Sequence, residues 1–186
     1  MIRTEHGVIR TADPDDANAV RRLFPSDRPR AFFLDRRREL TYPTVDEFWQ
    51  IFNQRDASHL PFYAVEDLAG QVQGFITLRA STSEASFGEL VLMFGHEEAY
   101  EAPFAEEALQ FLCQTAFRER RMNKVVAQCL DTETACRAFL TARGFESDGV
   151  QREVLYTQGC WRDLESLSLF SANAAALLPR EEAPAR

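Results

Sequence analysis

Apolar positions along the chain recur at two spacings, near two and between three and four residues, and this predicts strands alternating with helices. Val8-Ile9-Arg10 reads as a short strand. Asp13-Pro14-Asp15-Asp16 then opens a helix, with Asp13 as N-cap, Pro14 in the first position and acids in the first turn. Ala17, Val20, Leu23 and Phe24 continue it at helical spacing until Pro25. Residues 26–40 show no assignable pattern. Thr44 and Glu47 make a capping box for a second helix, Val45 to Gln54, with Phe48, Trp49 and Phe52 on its apolar side. Phe62–Glu66 and Val72–Leu78 flank Asp67-Leu68-Ala69-Gly70 as a hairpin, and Phe87–Phe94 adds a third antiparallel strand.

The longest helical stripe, Ala105, Ala108, Leu109, Leu112, Ala116 and Phe117, predicts a helix from Pro103 to Arg121. A buried strand follows at Val125–Leu130, then a helix at Thr134–Arg143 released by Gly144. Strands near Gln151–Thr157 and Asp163–Phe170 close the domain. From Ser171 the chain turns rich in Ala, Pro and Glu and loses periodicity, so residues 1–170 are expected as one domain and 171–186 as a flexible tail. The order β-α-α-β-β-β-α-β-α-β-β gives an α/β class, a mixed and mainly antiparallel sheet with helices on both faces.

Composition narrows the function. With 186 residues, 45% of them hydrophobic, the chain can bury a core, and no run of about 18 apolar residues suggests a membrane span. The first six residues carry no apolar h-region, and the four cysteines lack C-x-x-C spacing, so a cytoplasmic protein with reduced thiols and no metal is expected. A net charge of −8 argues against a nucleic-acid partner and suits a cationic one. Its basic residues are twenty arginines and the single Lys124.

Several blocks together resemble the GNAT superfamily of N-acetyltransferases, in the branch that acetylates ribosomal-protein N-termini, polyamines and amino sugars. They are Ile9-Arg10-Thr11-Ala12 with Asp16, Gly74-Phe75-Ile76, Glu107-Ala108-Leu109, Gly144-Phe145-Glu146-Ser147-Asp148-Gly149-Val150-Gln151-Arg152, and Gly159-Cys160-Trp161-Arg162-Asp163. The likeness spans residues 8 to 170. It implies a GNAT-type sheet and transfer of an acetyl group from acetyl-CoA to a primary amine, on a small molecule or a protein N-terminus. Homodimers are common in the branch.

The resemblance also implies a site. Acetyl-CoA would lay its pantetheine against Leu92, Met93 and Phe94, with backbone N–H groups there stabilising the oxyanion. Its pyrophosphate would meet the start of the helix at 103, across Tyr100, Ala102, Phe104 and Ala105, because free N–H groups and the positive helix end attract anions. Tyr100 and Pro103 replace the usual Gln/Arg and Gly of that loop, and Pro103 has no N–H. Glu97, Glu98, Glu101, Glu106 and Glu107 crowd it, with no Lys or Arg between Arg79 and Arg118. CoA affinity is therefore expected to be weak, and a catalytically silent binding protein of the same fold is the alternative. Leu140 stands where relatives place a proton-donating Tyr, Glu133 where they place a pantetheine-binding Asn, and Cys136 where they often have Ser. Glu89 and His96 are the candidate bases, and Phe33, Tyr42 and Trp49 candidates for an acceptor pocket.

Overall fold

Every strand expected from the alternation is present in the computed structural model, which describes residues 1–24, 61–80, 86–157 and 159–178. They build an eight-stranded sheet: β1 (Ile2–Arg3), β2 (Gly7–Thr11), β3 (Tyr63–Asp67), β4 (Val72–Ala80), β5 (Phe87–Phe94), β6 (Lys124–Leu130), β7 (Glu146–Thr157) and β8 (Cys160–Phe170). The spatial order is β1-β2-β3-β4-β5-β6-β8-β7. Every neighbouring pair is antiparallel except β5 with β6. The parallel pair needs a crossover, and α2 (Pro103–Gln114) supplies it. The remaining described helices are α1 (Ala17–Leu23) and α3 (Thr134–Thr141).

Alternation along β5 divides the core. Val91 and Met93 point to the face where α1 buries Val20, Leu23 and Phe24, together with Ala64 and Phe75. Leu90, Leu92 and Phe94 point the other way, onto Ala105, Ala108, Leu109 and Leu112 of α2 and onto Phe139 and Leu140 of α3. The predicted N-cap Asp13 accepts from the Asp15 N–H at the turn Pro14–Asp16, and with Asp16 it forms a capping box that the sequence reading does not anticipate. Arg10 fixes that start to the sheet: its guanidinium reaches Asp16 Oδ1 at 2.7 Å and Glu66 Oε1 at 2.7 Å.

Three boundaries differ from expectation. The helix from Pro103 keeps α-geometry only to Gln114 and continues as a π-helical turn, Thr115–Glu119, in which the Arg120 N–H reaches the Thr115 carbonyl. Thr115, Ala116 and Phe117 are all buried in this wider turn. β7 begins at Glu146, five residues before the predicted start. Register shifts between Ser147 and Gly149 and between Gln151 and Leu155 interrupt its period-two signal, with Glu153 at φ 50°. Ser171–Ala176 forms a 3-10 turn that packs Ala174 and Leu177 into the larger core, at 1% and 3% exposure. A three-residue repeat matches the 3-10 period, so an alanine-rich stretch buries two side chains despite its loop-like composition.

The predicted helix 45–54 and the residues Phe33, Tyr42 and Trp49 lie outside the described residues. Among the described residues, no helix is long and apolar enough to cross a membrane, and no group of three or more His, Cys, Asp and Glu side chains is placed to hold a metal.

Candidate active site

The parallel ladder between β5 and β6 stops early. Its register runs from Phe87 opposite Lys124 to Leu90 opposite Ala127, whereas β5 stays paired with β4 as far as Phe94 opposite Gly74. Beyond Leu90 the two strands part, and one edge of β5 loses its neighbour. The Gly95 N–H donates to the Gln73 carbonyl of β4 at 3.0 Å, and alternate residues of a strand share a side. Val91 and Met93 therefore turn their backbone groups toward β4, while Leu92 and Phe94 turn theirs toward the opening. Of the three expected edge residues, Met93 does not face the cleft.

Gly74 lets β4 approach β5 this closely, and Gly95 lets α1 approach the end of β5. A Cβ at Gly74 would sit 2.4 Å from the Met93 carbonyl oxygen, and one at Gly95 would sit 2.4 Å from Leu23 Cδ2.

Tyr100 closes the cleft from the α2 side. It is 6% exposed, stacks edge-on against Phe94 at 5.1 Å and tilts against Phe139 at 5.7 Å. Its hydroxyl donates to the Leu92 carbonyl at 3.3 Å, which places a phenol proton on the open edge of β5. Phe104 packs on the other side of Phe94 at 5.8 Å. On the facing strand, the Glu133 carboxylate accepts from the Leu130 N–H at 2.9 Å. The Asp131 N–H bonds the Asp163 carbonyl of β8, so by alternation Leu130 faces β5; Glu133 thus caps the freed edge of β6. The Cys136 sulfur lies 3.3 Å from that of Cys129. Leu140 is fully buried and offers no proton.

At the start of α2 the donor set is thin. The Ala102 N–H bonds the Ala99 carbonyl, Pro103 has none, and the Ala105 N–H bonds the Ala102 carbonyl. Of residues 102–105, only Phe104 keeps an N–H that could meet a phosphate. The acidic crowd, in contrast, is partly neutralised in three dimensions. Glu107 accepts from Thr4 Oγ1 at 2.5 Å and from the His6 N–H at 3.1 Å, tying the β1–β2 turn to α2. Burial alone would raise this carboxyl; the Thr4 and His6 hydrogen bonds outweigh burial and hold it below its ordinary value. Glu106 pairs with Arg143 Nη2 at 3.0 Å. Glu97, Glu98 and Glu101 stay exposed.

Arg143 is the functional candidate that sequence reasoning missed. Its guanidinium lies 3.8 Å over the Phe139 ring and donates to the Phe139 carbonyl at 3.0 Å, while its Nε is buried without a hydrogen-bond partner. It brings to the mouth of α2 the cation that segment 80–117 lacks. Thirty-seven positions separate it from Glu106, so no local motif announces the contact.

The two candidate bases stand at opposite ends of β5. Seven residues at the strand rise of about 3.3 Å put Glu89 and His96 roughly 23 Å apart, so they cannot serve one amine together. Glu89 lies one residue before the end of the ladder, on the α1 face of the sheet, half-buried, with Arg79 Nη1 4.0 Å away on β4. His96 is exposed, and its backbone opens the turn at Glu97–Glu101.

The strand split, the crossover helix whose N-terminus meets the open edge, and the C-terminal hairpin define the architecture compared with known proteins. The chain is similar to a spermidine N-acetyltransferase from Vibrio cholerae in complex with CoA and spermine, at 16% identity and TM-score 0.73, over 92% of this chain and 99% of that one. A probable acetyltransferase shares 22% identity at TM-score 0.72, over 91% and 95% of the two chains. No curated protein matches. The description of the family whose model matches residues 8–146 is "Acetyltransferase (GNAT) domain". That match covers most of the chain and agrees with the split sheet, and the chain belongs to the GNAT acetyltransferase family.

Proposed function

We propose that this protein transfers an acetyl group from acetyl-CoA directly to a primary amine of a small, cationic acceptor in the cytoplasm. The observation that carries the reading is the early end of the β5–β6 ladder. It leaves the Leu92 N–H facing a cleft in which a thioester carbonyl can sit, with a buried hydroxyl one hydrogen-bond length from the carbonyl of the same residue. The pantetheine edge fits the donor. The phosphate end fits it poorly, with the Phe104 N–H and the Arg143 guanidinium doing what a glycine loop does in relatives. Affinity for the donor is accordingly weak.

The chemistry assigns each group one task. The amine nitrogen attacks the thioester carbon, and the Leu92 N–H stabilises the oxyanion that develops. Glu89, beside the vertex of the split, takes the ammonium proton through water. As the C–S bond breaks, Tyr100 gives its hydroxyl proton to the thiolate, the task that Leu140 cannot perform, and the second proton shed by the acetylated nitrogen restores Tyr100 through water. Arg79 positions Glu89. Phe33, Tyr42 and Trp49 remain proposed walls of the acceptor pocket. The acidic balance of −8 and the spermine held by the structural neighbour both favour a polyamine-like acceptor.

We also assign the β7–β8 hairpin as the pairing surface of a homodimer. Tyr156 and Trp161 meet edge-on at 5.4 Å while both stay about half exposed or more, at 50% and 59%.

Two measurements test the function. Calorimetric titration with acetyl-CoA is expected to show saturable but weak binding, and spermidine with acetyl-CoA is expected to yield acetylated amine and free thiol in equal amounts. Donor binding with no transfer to any of a panel of amines would favour the catalytically silent reading. No donor binding at millimolar concentration would end the proposal.

A further inference from the structure

Cys129 and Cys136 form a buried pair that the transfer chemistry above does not use. Cys129 lies on β6 past the last residue paired with β5, and its side chain points toward α3. Cys136 occupies the first turn of α3, on the face that also carries Phe139 and Leu140. The sulfurs are 3.3 Å apart, with the Cys129 S–H directed at the Cys136 sulfur. The fold brings them together because α3 packs back on the strand it follows, so seven residues of chain fold into one contact.

We propose that Cys129 and Cys136 are a reversible dithiol–disulfide site, oxidised by a hydroperoxide, that pins α3 to β6. The Cys136 thiolate attacks the terminal peroxide oxygen, giving a sulfenic acid and releasing the alcohol or, from hydrogen peroxide, water. The Cys129 thiol then displaces water from that sulfur, and the S–S bond forms. Two thiols and one peroxide thus yield one disulfide, one alcohol and one water, and a thiol reductant reverses the change.

Three features favour Cys136 as the first to react. It keeps 3% exposure, whereas Cys129 has none. It sits in the first turn of α3 with its sulfur against that of Cys129, so the second thiol is already in reach. The helix itself has eight residues and no side-chain N-cap hydrogen bond, so its first turn opens locally at low cost. Once open, that turn admits a molecule of the size of hydrogen peroxide.

Closing a 3.3 Å contact to a bond of about 2.05 Å brings the two sulfurs together by a little over 1 Å and ties the first turn of α3 covalently to β6. Phe139 lies one turn along that helix and packs on Tyr100, which closes the cleft from the α2 side. The bond therefore acts on the wall of the candidate site, and intracellular disulfides that serve as sensors are of this transient kind.

The chain reports on itself. Trypsin cuts after Lys124 and Arg137, so one peptide, Val125–Arg137, holds both cysteines. The reduced full chain is treated with hydrogen peroxide, alkylated and digested. The expected peptide is two hydrogens lighter than the reduced form, carries no alkyl group, and reverts with dithiothreitol. Cys113 serves as an internal control: it lies inside the continuous helix 103–119, away from the first turn of α3 that opens, and burial pushes its thiol up to about 12, so it stays reduced until unfolding exposes it to alkylation.

Hydrogen exchange reads the consequence without any substrate. Amides of residues 134–141 are expected to exchange at least about tenfold more slowly once the bond forms. Cys136→Ala must abolish both effects, and Cys129→Ala must leave Cys136 as a sulfenic acid that dimedone traps. Two alkylated cysteines after peroxide, over-oxidation without a bond, or unchanged exchange in the oxidised chain would each overturn the proposal. None of these readouts depends on acetyl transfer, so the proposal stands or falls apart from the function proposed above.

Discussion

Replacing Pro103 with glycine should move stability and donor affinity in opposite directions. Pro103 is the first residue of α2, preset for a helix but without an N–H. Pro103→Gly enlarges the freedom of the unfolded chain and should cost about 0.4–1 kcal/mol of stability. It also supplies a new donor where the diphosphate would lie. A hydrogen bond to a charged group contributes about 1.5–3 kcal/mol, which corresponds to roughly ten- to hundredfold tighter binding. Calorimetry at fixed ionic strength should show this gain for acetyl-CoA and not for acetyl-pantetheine, which lacks the nucleotide. Arg143→Gln should weaken acetyl-CoA by a similar factor and leave acetyl-pantetheine unchanged. Should Pro103→Gly lower the melting temperature yet bind both donors as the parent does, the phosphates rest elsewhere and the assignment of the α2 start is wrong.

Tyr100→Phe keeps the ring contacts and removes the proton. It should lower kcat about a hundredfold or more, with little change in KM, while an aryl thioester donor with a better leaving group loses far less. Equal losses with both donors would reduce Tyr100 to a packing role. Leu177→Ala should cost about 2–5 kcal/mol by emptying a buried site, seen as a lower urea midpoint at unchanged slope; an unchanged midpoint would return residues beyond Phe170 to a dispensable tail. Glu107 is held below its ordinary value, so its contribution is present at neutral pH and fades as pH falls through its folded value. Denaturant midpoints measured from pH about 6 down to about 3 should fall less steeply in Glu107→Gln than in the parent, and parallel curves would refute the linkage. Asp148, bonded by Lys124, and Glu165, bonded by Arg137, are lowered too and give the background slope in both proteins.

Sequence reading went far where the physics is local. Period-two alternation marked β3, β4 and β5 because a half-buried strand must alternate, and it missed the first five residues of β7, where register shifts break the period. Asp13-Pro14-Asp15-Asp16 marked a helix start because its capping bonds lie within one turn. The blocks around Gly74, Glu107 and Gly144 pointed to the family because they make the fold's closest approaches and releases, such as the Gly74 Cβ position against the Met93 carbonyl. Pro103 announced a missing N–H on its own. What it could not show was where charges and thiols meet. The acids before and within α2 read as one repulsive crowd, yet Glu107 is spent on Thr4 and His6 and Glu106 on Arg143, partners 103, 101 and 37 positions away. The Cys129–Cys136 contact and the burial of Ala174 and Leu177 escaped for the same reason. Local pattern is set by backbone periodicity and capping, which act within a few residues. Ion pairs, cleft walls and core-filling tails are set by which distant surfaces the folded sheet brings into contact, and only the tertiary structure decides that.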